Sequence, residues 1–267
     1  MDFSGKVALV TGGGGGIGLA TCLGFGRAGA RVVVVDHDAA LGQDAADQVK
    51  AAGGAAIFVR ADVSKSAEVQ AYVKAALDAY GRIDCFFNNA GIEGRVAPIT
   101  EYDEEIWHAV IAVNLTGVFL GLKYVLPTML KQGSGAVVNT ASTAALFGAP
   151  GMAAYVAAKH GVAGITKVAS SDVARYGVRV NAICPGPVET RMMRSLEAQR
   201  NPADPEAVHA ANAAGMPTGR YSSAEEVANT VLYLCSELSA NITGTQLVID
   251  SGRSASGGAA IAPRRNV

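Results

Sequence analysis

The sequence predicts one α/β domain built on a doubly wound parallel sheet of about seven strands, with helices on both faces. Two observations carry that expectation. Short β-type runs alternate with helical text from Val7 to Ile249 with no interrupting linker, and such alternation requires right-handed crossovers that cover both sides of a sheet. Half of the 267 residues are apolar and only 17% are charged, which suits strands buried on both faces. Residues 1–252 are therefore read as one domain, and 253–267, without usable periodicity, as a tail expected to be disordered.

The elements follow from local chemistry. Val7 to Val10 is a β-type run that meets Gly12 to Gly16 and then a helical pattern ending near Gly29, the first half of a βαβ unit. Arg31 to Val35 is a second strand stopped by Asp36, and helical text reaches Lys50 before Gly53 and Gly54 break it. Ala56 to Arg60 is a third strand, and Ser64 or Ser66 is expected to cap a helix ending near Tyr80. Ile83 to Phe87 is a fourth strand, running directly into Asn88, Asn89, Ala90 and Gly91. Asp103 to Lys131 reads as one long helix with Asn114 inside its apolar face, and Ala136 to Thr140 as the fifth strand. A helix over 154–175 and a sixth strand over 178–183, halted by Pro185, Gly186 and Pro187, come next. From Val188 to Arg220 periodicity fails, and Met192, Met193 and three prolines suggest short helices in a lid over the substrate. A last helix from Ala224 to Leu238 and a strand from Gln246 to Ile249 close the chain.

A net charge of −1 with scattered basic residues gives no electrostatic footprint for nucleic acid. Four cysteines stand far apart with no C-x-x-C, as in a reducing compartment. The start is acidic before it is basic, its apolar run is too short for a signal sequence, and no apolar run is expected to reach the roughly 18 residues a membrane span needs. A cytoplasmic protein without a membrane partner is expected. Histidines 37, 108, 160 and 209 lack ligand spacing, so no metal is expected.

In a parallel sheet ligands collect beyond the carboxyl ends of the strands, where Thr11, Asp36, Asp62, Asn89, Ser142 and Pro185 all fall. Gly12, Gly16 and Gly18 form G-x-x-x-G-x-G between a strand and a helix, a turn whose backbone a pyrophosphate can approach. Asp36 ends the second strand, where a carboxylate accepts hydrogen bonds from an adenosine ribose and repels a 2′-phosphate. Positions 13–15 are glycine and 37 is histidine, so no arginine or lysine stands ready for that phosphate, and NAD is the expected cofactor. Tyr155 and Lys159 lie one helical turn apart. Lowering a phenol's pKa by about 3 units, to near neutral pH, takes roughly 4 kcal/mol of preference for the phenolate, about what a cation at ~4 Å supplies at an effective dielectric of ~20. The spacing thus predicts a proton-transferring tyrosine whose pKa the lysine lowers, with the Ser142 hydroxyl beside it.

TGGGGGIG, Asp62-Val63, NNAG at 88–91, Asn114, Ser142, YVAAK at 155–159 and NAICPG at 181–186, in that order, resemble the short-chain dehydrogenase/reductase family over roughly residues 6–252. The resemblance implies a Rossmann-type fold and a catalytic tetrad of Asn114, Ser142, Tyr155 and Lys159. It also implies a cofactor surface that includes Gly12, Gly16, Ile17, Gly18, Asp36, Asp62, Val63, Asn89, Ala90, Gly91, Tyr155, Lys159, Pro185, Gly186, Val188 and Thr190. In that scheme Asp62 and Val63 border the adenine, and Asn89 steadies the central strand. Val188 and Thr190 hold the carboxamide, and Asn114 props a water linking Lys159 to solvent. FFNNAGIEG and GSGAVVNTAS are similar to the levodione reductase-type branch, implying a cyclic or apolar secondary alcohol or ketone as the small-molecule substrate. Two alternatives stay open, an acyl-carrier-protein-linked oxoacyl reductase using NADPH and a dinucleotide sensor without turnover. Family habit, with the small residues Ala157, Gly161 and Gly164, implies a homotetramer. Glu93 reads equally well as a substrate-facing group or a solvated loop charge.

Overall fold

In the computed structural model, which describes residues 1–255, seven parallel strands form one sheet in the order β3-β2-β1-β4-β5-β6-β7. The strands are β1 Val7–Thr11, β2 Arg31–Asp36, β3 Ala55–Arg60, β4 Cys85–Asn88, β5 Gly135–Thr140, β6 Val178–Pro185 and β7 Gln246–Ile249. Side-chain alternation splits each central strand between two cores. Val7, Leu9, Val33 and Val35 face one, and Ala8, Val10, Val32 and Val34 the other. The second core is closed by α1 (Gly16–Arg27), α2 (Ala39–Ala51) and α9 (Ala224–Cys235). On the opposite face lie α3 (Ser66–Tyr80), α4 (Glu104–Ile111), α5 (Gly117–Gln132) and α6 (Ala153–Val173). The strand order reverses between β1 and β4, so loops leaving their carboxyl ends diverge and open the crevice where ligands bind in such sheets.

Most predicted elements stand within a residue or two of their expected bounds, and the differences have physical causes. Helix α3 is capped by neither serine: Lys65 occupies the N-cap without a side-chain bond, because Asp62 draws both the amide and the hydroxyl of Ser64, at 2.9 and 2.7 Å. The expected long helix is continuous from Glu104 to Gln132 but widens to a π-turn at Ala112–Thr116, around the fully buried Asn114. That helix is long and apolar enough to cross a membrane by length and composition, which the expectation from apolar runs did not anticipate. Here it packs against the sheet, α3 and α6, leaving Trp107, Phe119 and Leu130 partly exposed. Within the predicted lid, α7 (Arg191–Arg200) and α8 (Pro205–Ala214) are ordered helices, capped by Thr190 and Asp204. The expected disorder of 253–267 falls, from residue 256 on, outside the described residues.

A buried polar relay joins β4 and β5 to α5 and α6. Asn88 Nδ2 donates to the Val118 carbonyl and to Asn139 Oδ1, at 2.9 and 3.2 Å. Asn139 Nδ2 donates to Thr166 Oγ1 at 2.9 Å, and Thr166 donates back to the Val162 carbonyl. Asn139 is completely buried, so its loss takes one bond each from the buried Asn88 and Thr166 and leaves a cavity between them. Asn139→Ala is expected to cost about 2–3 kcal/mol, read as a lower urea midpoint at an unchanged slope; an unchanged midpoint would contradict the relay.

Candidate active site

Strand β5 ends at Thr140 and delivers Ser142, while the first turns of α6 carry Tyr155 and Lys159. The Lys159 ammonium lies 5.4 Å from the centre of the Tyr155 ring, so the four-residue spacing does place both groups on one face. Lys159 is 3% exposed and donates to the Thr140 carbonyl at 2.7 Å. Ser142 Oγ accepts from the Ala144 amide at 3.2 Å and donates to the Pro185 carbonyl at 3.4 Å, which ties β5 to the end of β6.

The charges are arranged differently from the expected lysine-lowered phenol. Burial raises Tyr155 above the ordinary tyrosine value of 10.0, a hydrogen bond with Ser142 opposes this, and the Glu93 charge adds to it. Burial also pushes Lys159 from 10.5 down to about 8, against a smaller opposing effect of Cys184. Lys159 is not among the groups that lower the phenol in this arrangement, where burial outweighs the hydrogen bond with Ser142. At neutral pH the site therefore holds a neutral phenol beside an ammonium, and forming the phenolate needs that ammonium to keep its proton.

Asn114 is brought to the same crevice but by a role sequence could not specify. Its Oδ1 accepts from the Ile92 amide and its Nδ2 donates to the Ile92 carbonyl, both at 2.8 Å. The π-turn thus aims a buried amide at the loop leaving β4, which explains a polar residue on an apolar helix. Asn89 ties three strand ends together: its Nδ2 donates to the Thr11 carbonyl at 3.1 Å and its Oδ1 accepts from Thr140 Oγ1 at 3.1 Å. Thr11 Oγ1 in turn accepts from the amides of Asn89 and Ala90, at 2.9 and 3.1 Å, holding Gly91 against Asn114.

The glycine turn is shaped for an anion. Gly15, the N-cap of α1, makes no side-chain cap bond, so the first amides of the helix stay open. A Cβ at Gly18 would collide with the Gly12 carbonyl oxygen, and Gly16 has φ 51°, so neither position accepts another residue cheaply. Ile17 packs against the adjoining core. Asp36 Oδ2 accepts from the Gly14 amide at 2.9 Å and Oδ1 from the Asp38 amide at 3.0 Å, fixing the carboxylate beside the cradle. Burial acts to raise the Asp62 carboxyl, but two hydrogen bonds from Ser64, with Lys65 and His37 nearby, together outweigh it and hold the group below its ordinary value, and Val63 packs under Gly117. On the far side, Gly186 abuts Asp250, Val188 is buried and bridges to Ser222, and Thr190 leans toward Gly16. The residues present fit a nicotinamide dinucleotide: an open amide cradle, a carboxylate at the second strand end, and the proton-carrying pair beyond it.

Comparison with known proteins agrees with this architecture. The family model described as short chain dehydrogenase matches residues 6–201. The chain belongs to the short chain dehydrogenase family. It is 41% identical over 255 residues to levodione reductase of Leifsonia aquatica, covering 95% of this chain and 96% of that protein. It is 40% identical to cyclohexanol dehydrogenase of Acinetobacter sp. (93% and 94% covered) and 41% identical to a 3-oxoacyl-[acyl-carrier-protein] reductase of Synechocystis sp. (92% and 96% covered). Among solved structures, levodione reductase superposes with a TM-score of 0.91 at 40% identity, covering 95% of this chain and 99% of that one. NAD+-bound xylitol dehydrogenase does so with a TM-score of 0.90 at 35% identity, covering 93% and 99%.

Within this short chain dehydrogenase, sequence reasoning missed three groups. Thr140, whose carbonyl receives Lys159, looked like any strand-ending threonine. Glu197 in α7 is fully buried, accepting from Tyr221 Oη at 2.8 Å and paired with His209 at 3.1 Å and Arg194 at 3.3 Å. Gln199, in the same helix, bridges to the β4–α4 loop. The lid segment has no periodicity that would have marked either.

Because the dehydrogenase buries Lys159 as a cation, that lysine works against stability at neutral pH. The unfolded chain keeps its proton up to about 10.5 and the folded one only to about 8, so stability rises with pH between those values and is lowest below them. The shift corresponds to roughly 3 kcal/mol, less about 1 for the bond to Thr140. Lys159→Met is therefore expected to be more stable than the parent by about 2 kcal/mol at pH 7, an advantage that fades toward pH ~10. Thermal denaturation of both proteins across that range checks it, and a gap independent of pH would contradict it.

Proposed function

We propose that this oxidoreductase interconverts a secondary alcohol, cyclic or otherwise apolar, with its ketone, using NAD and Tyr155 as the general acid and base. The observation that carries the reading is the meeting of Ser142, Tyr155 and Lys159 at the ends of β5 and β6, across the crevice from the glycine cradle. The bound dinucleotide supplies the hydride acceptor or donor. Gly12, Gly16, Ile17 and Gly18 would hold its phosphates, Asp36 its ribose, and Asp62 and Val63 its adenine. Asn89, Ala90, Gly91, Pro185, Gly186, Val188 and Thr190 would hold the remainder, together with Tyr155 and Lys159.

In reduction the neutral phenol of Tyr155 gives its proton to the developing alkoxide, and in oxidation the phenolate takes the hydroxyl proton. Ser142 hydrogen-bonds the substrate oxygen as charge grows on it. Lys159 supplies the cation that makes the phenolate affordable, and Asn114 fixes the loop that borders the site. A phenol raised by burial has its proton ready at neutral pH, so oxidation is expected to quicken as pH rises only while Lys159 keeps its own proton, up to about 8. Helices α7 and α8 act as a lid, and the exposed apolar residues Trp107, Phe119 and Val168 on the outer helices support a homotetramer.

A carrier-protein-linked reductase using NADPH is the second reading, favoured by the Synechocystis relative. Against it, the Asp36 carboxylate at the end of β2 would repel a 2′-phosphate bound beside it, and Arg194 of the lid is engaged by Glu189, Glu197 and Glu206. Absorbance at 340 nm decides between them. Cyclohexanol with NAD+ is expected to outpace linear alcohols and to exceed its rate with NADP+ by at least ~10-fold, about 1.4 kcal/mol, and Asp36→Ala should erase most of that cofactor preference. A lower KM for NADPH than for NADH would overturn the assignment, and dinucleotide binding with no turnover of any alcohol would favour a sensor.

A further inference from the structure

After β6 the chain leaves the sheet, forms α7 and α8, and comes back at Tyr221 and Ser222 to the strip it left from. Backbone bonds hold that strip: the Ser222 amide donates to the Pro187 carbonyl at 3.1 Å, and the Glu189 amide to the Ser222 carbonyl at 2.9 Å. Thr190, at the end of the strip, caps α7 and leans toward Gly16 of the glycine turn. A movement of the two helices against this strip is therefore passed on to the cradle.

The contact between helices and strip is made of charge. Glu197 of α7 is fully buried; its Oε1 accepts from Tyr221 Oη at 2.8 Å and lies 3.1 Å from His209 Nδ1 of α8. The other ring nitrogen of His209, Nε2, lies 3.5 Å from Glu189 Oε1 in the strip. Among the described residues the other cation facing these carboxylates is Arg194, at 3.4 Å from Glu189, 3.3 Å from Glu197 and 3.4 Å from Glu206 of α8. Tyr221 packs edge-on against the imidazole, with ring centres 4.6 Å apart. Its neighbour Arg220 is turned to Glu226 instead.

Three carboxylates around one guanidinium leave an excess of negative charge, and one of the three is out of water, where an unpaired charge is costly. His209 stands in that excess with a carboxylate at each ring nitrogen. A neutral imidazole has a proton on one nitrogen and a lone pair on the other, so one carboxylate would face a lone pair, whereas an imidazolium donates to both. Protonated, the ring ties α8 to α7 and to the strip; neutral, it lets go of one of them. The His209 side chain is 19% exposed, so solvent protons reach it.

We propose that His209 is a positioning residue: protonated, it clamps the lid to the 187–190 strip, and neutral, it frees the lid, so that dinucleotide leaves faster as pH rises. The inference rests on the reading above in that it takes the dinucleotide to lie against Val188 and Thr190. By reciprocity, a proton that tightens dinucleotide binding is itself taken up when dinucleotide binds.

Displacement of NADH from the loaded protein, followed by nucleotide fluorescence in stopped flow, tests this between about pH 5.5 and 7.5, below the value of about 8 at which Lys159 loses its proton. The parent's release rate is expected to rise about 10-fold across that range. His209→Gln should release NADH at the fast rate throughout, varying by less than about threefold. Glu189→Gln, which removes the more exposed partner and leaves buried Glu197 in place, should behave likewise. Calorimetry near pH ~6.5 in two buffers of different ionisation enthalpy should show proton uptake with NADH in the parent and not in His209→Gln, a signal that a purely structural histidine would not give. A parental release rate flat with pH, or a pH dependence and proton uptake that persist in His209→Gln, overturns the proposal. Histidine-dependent release with no absorbance change at 340 nm for any alcohol would uphold it while refuting the alcohol–ketone reading; alcohol oxidation with pH-flat release would do the reverse.

Discussion

A buried ammonium organises this protein's crevice. Lys159 has been carried out of water by helix α6 and set between the Thr140 carbonyl and the Tyr155 ring, and the price is a pKa pushed down to about 8. Nothing in packing alone calls for a cation there, since an apolar side chain would fill the space at lower cost. The arrangement makes sense as chemistry: a cation that stays protonated at neutral pH, one helical turn from a phenol that burial keeps protonated, stabilises the phenolate only at the moment it forms. The tyrosine is therefore held in reserve as an acid and becomes a base by virtue of its neighbour.

The remainder of the fold keeps that pair in register with a dinucleotide-sized cleft. Reversal of strand order between β1 and β4 opens the crevice, and the bonds from Asn89 to Thr11 and Thr140 stop the strand ends from drifting apart. Asn139 fastens the base of α6 to β5 and, through Asn88, to β4. The substrate side is closed by softer contacts, with Gln199 reaching the β4–α4 loop and Glu197 locking α7 to Tyr221 and α8. Chemistry thus rests on sheet and helix, and selectivity on loops and a lid.

Strand and helix alternation, the glycine turn and the Tyr155/Lys159 spacing were legible because each is a short-range pattern with one physical meaning. The ionisation state was not. Spacing placed a cation near a phenol, but only the fold shows that burial raises Tyr155 and lowers Lys159, opposite to the expected lowering of the phenol. Asn114 was visible as an anomaly in an apolar helix, whereas its grip on Ile92 depends on a π-turn that has no signature in sequence. Glu197 and Gln199 were hidden for a simpler reason: the bond from Tyr221 to Glu197 spans 24 residues and those of Gln199 to the β4–α4 loop about 100, and such contacts leave no periodic trace.

The account stands on proton transfer at one oxygen atom, so removing that atom is its most direct test. With Tyr155→Phe, turnover of an alcohol accepted by the parent should fall by about a thousandfold or more, while dinucleotide affinity, measured by nucleotide fluorescence, stays within a few-fold. A phenylalanine variant that binds dinucleotide and still turns over at the parental rate would contradict it.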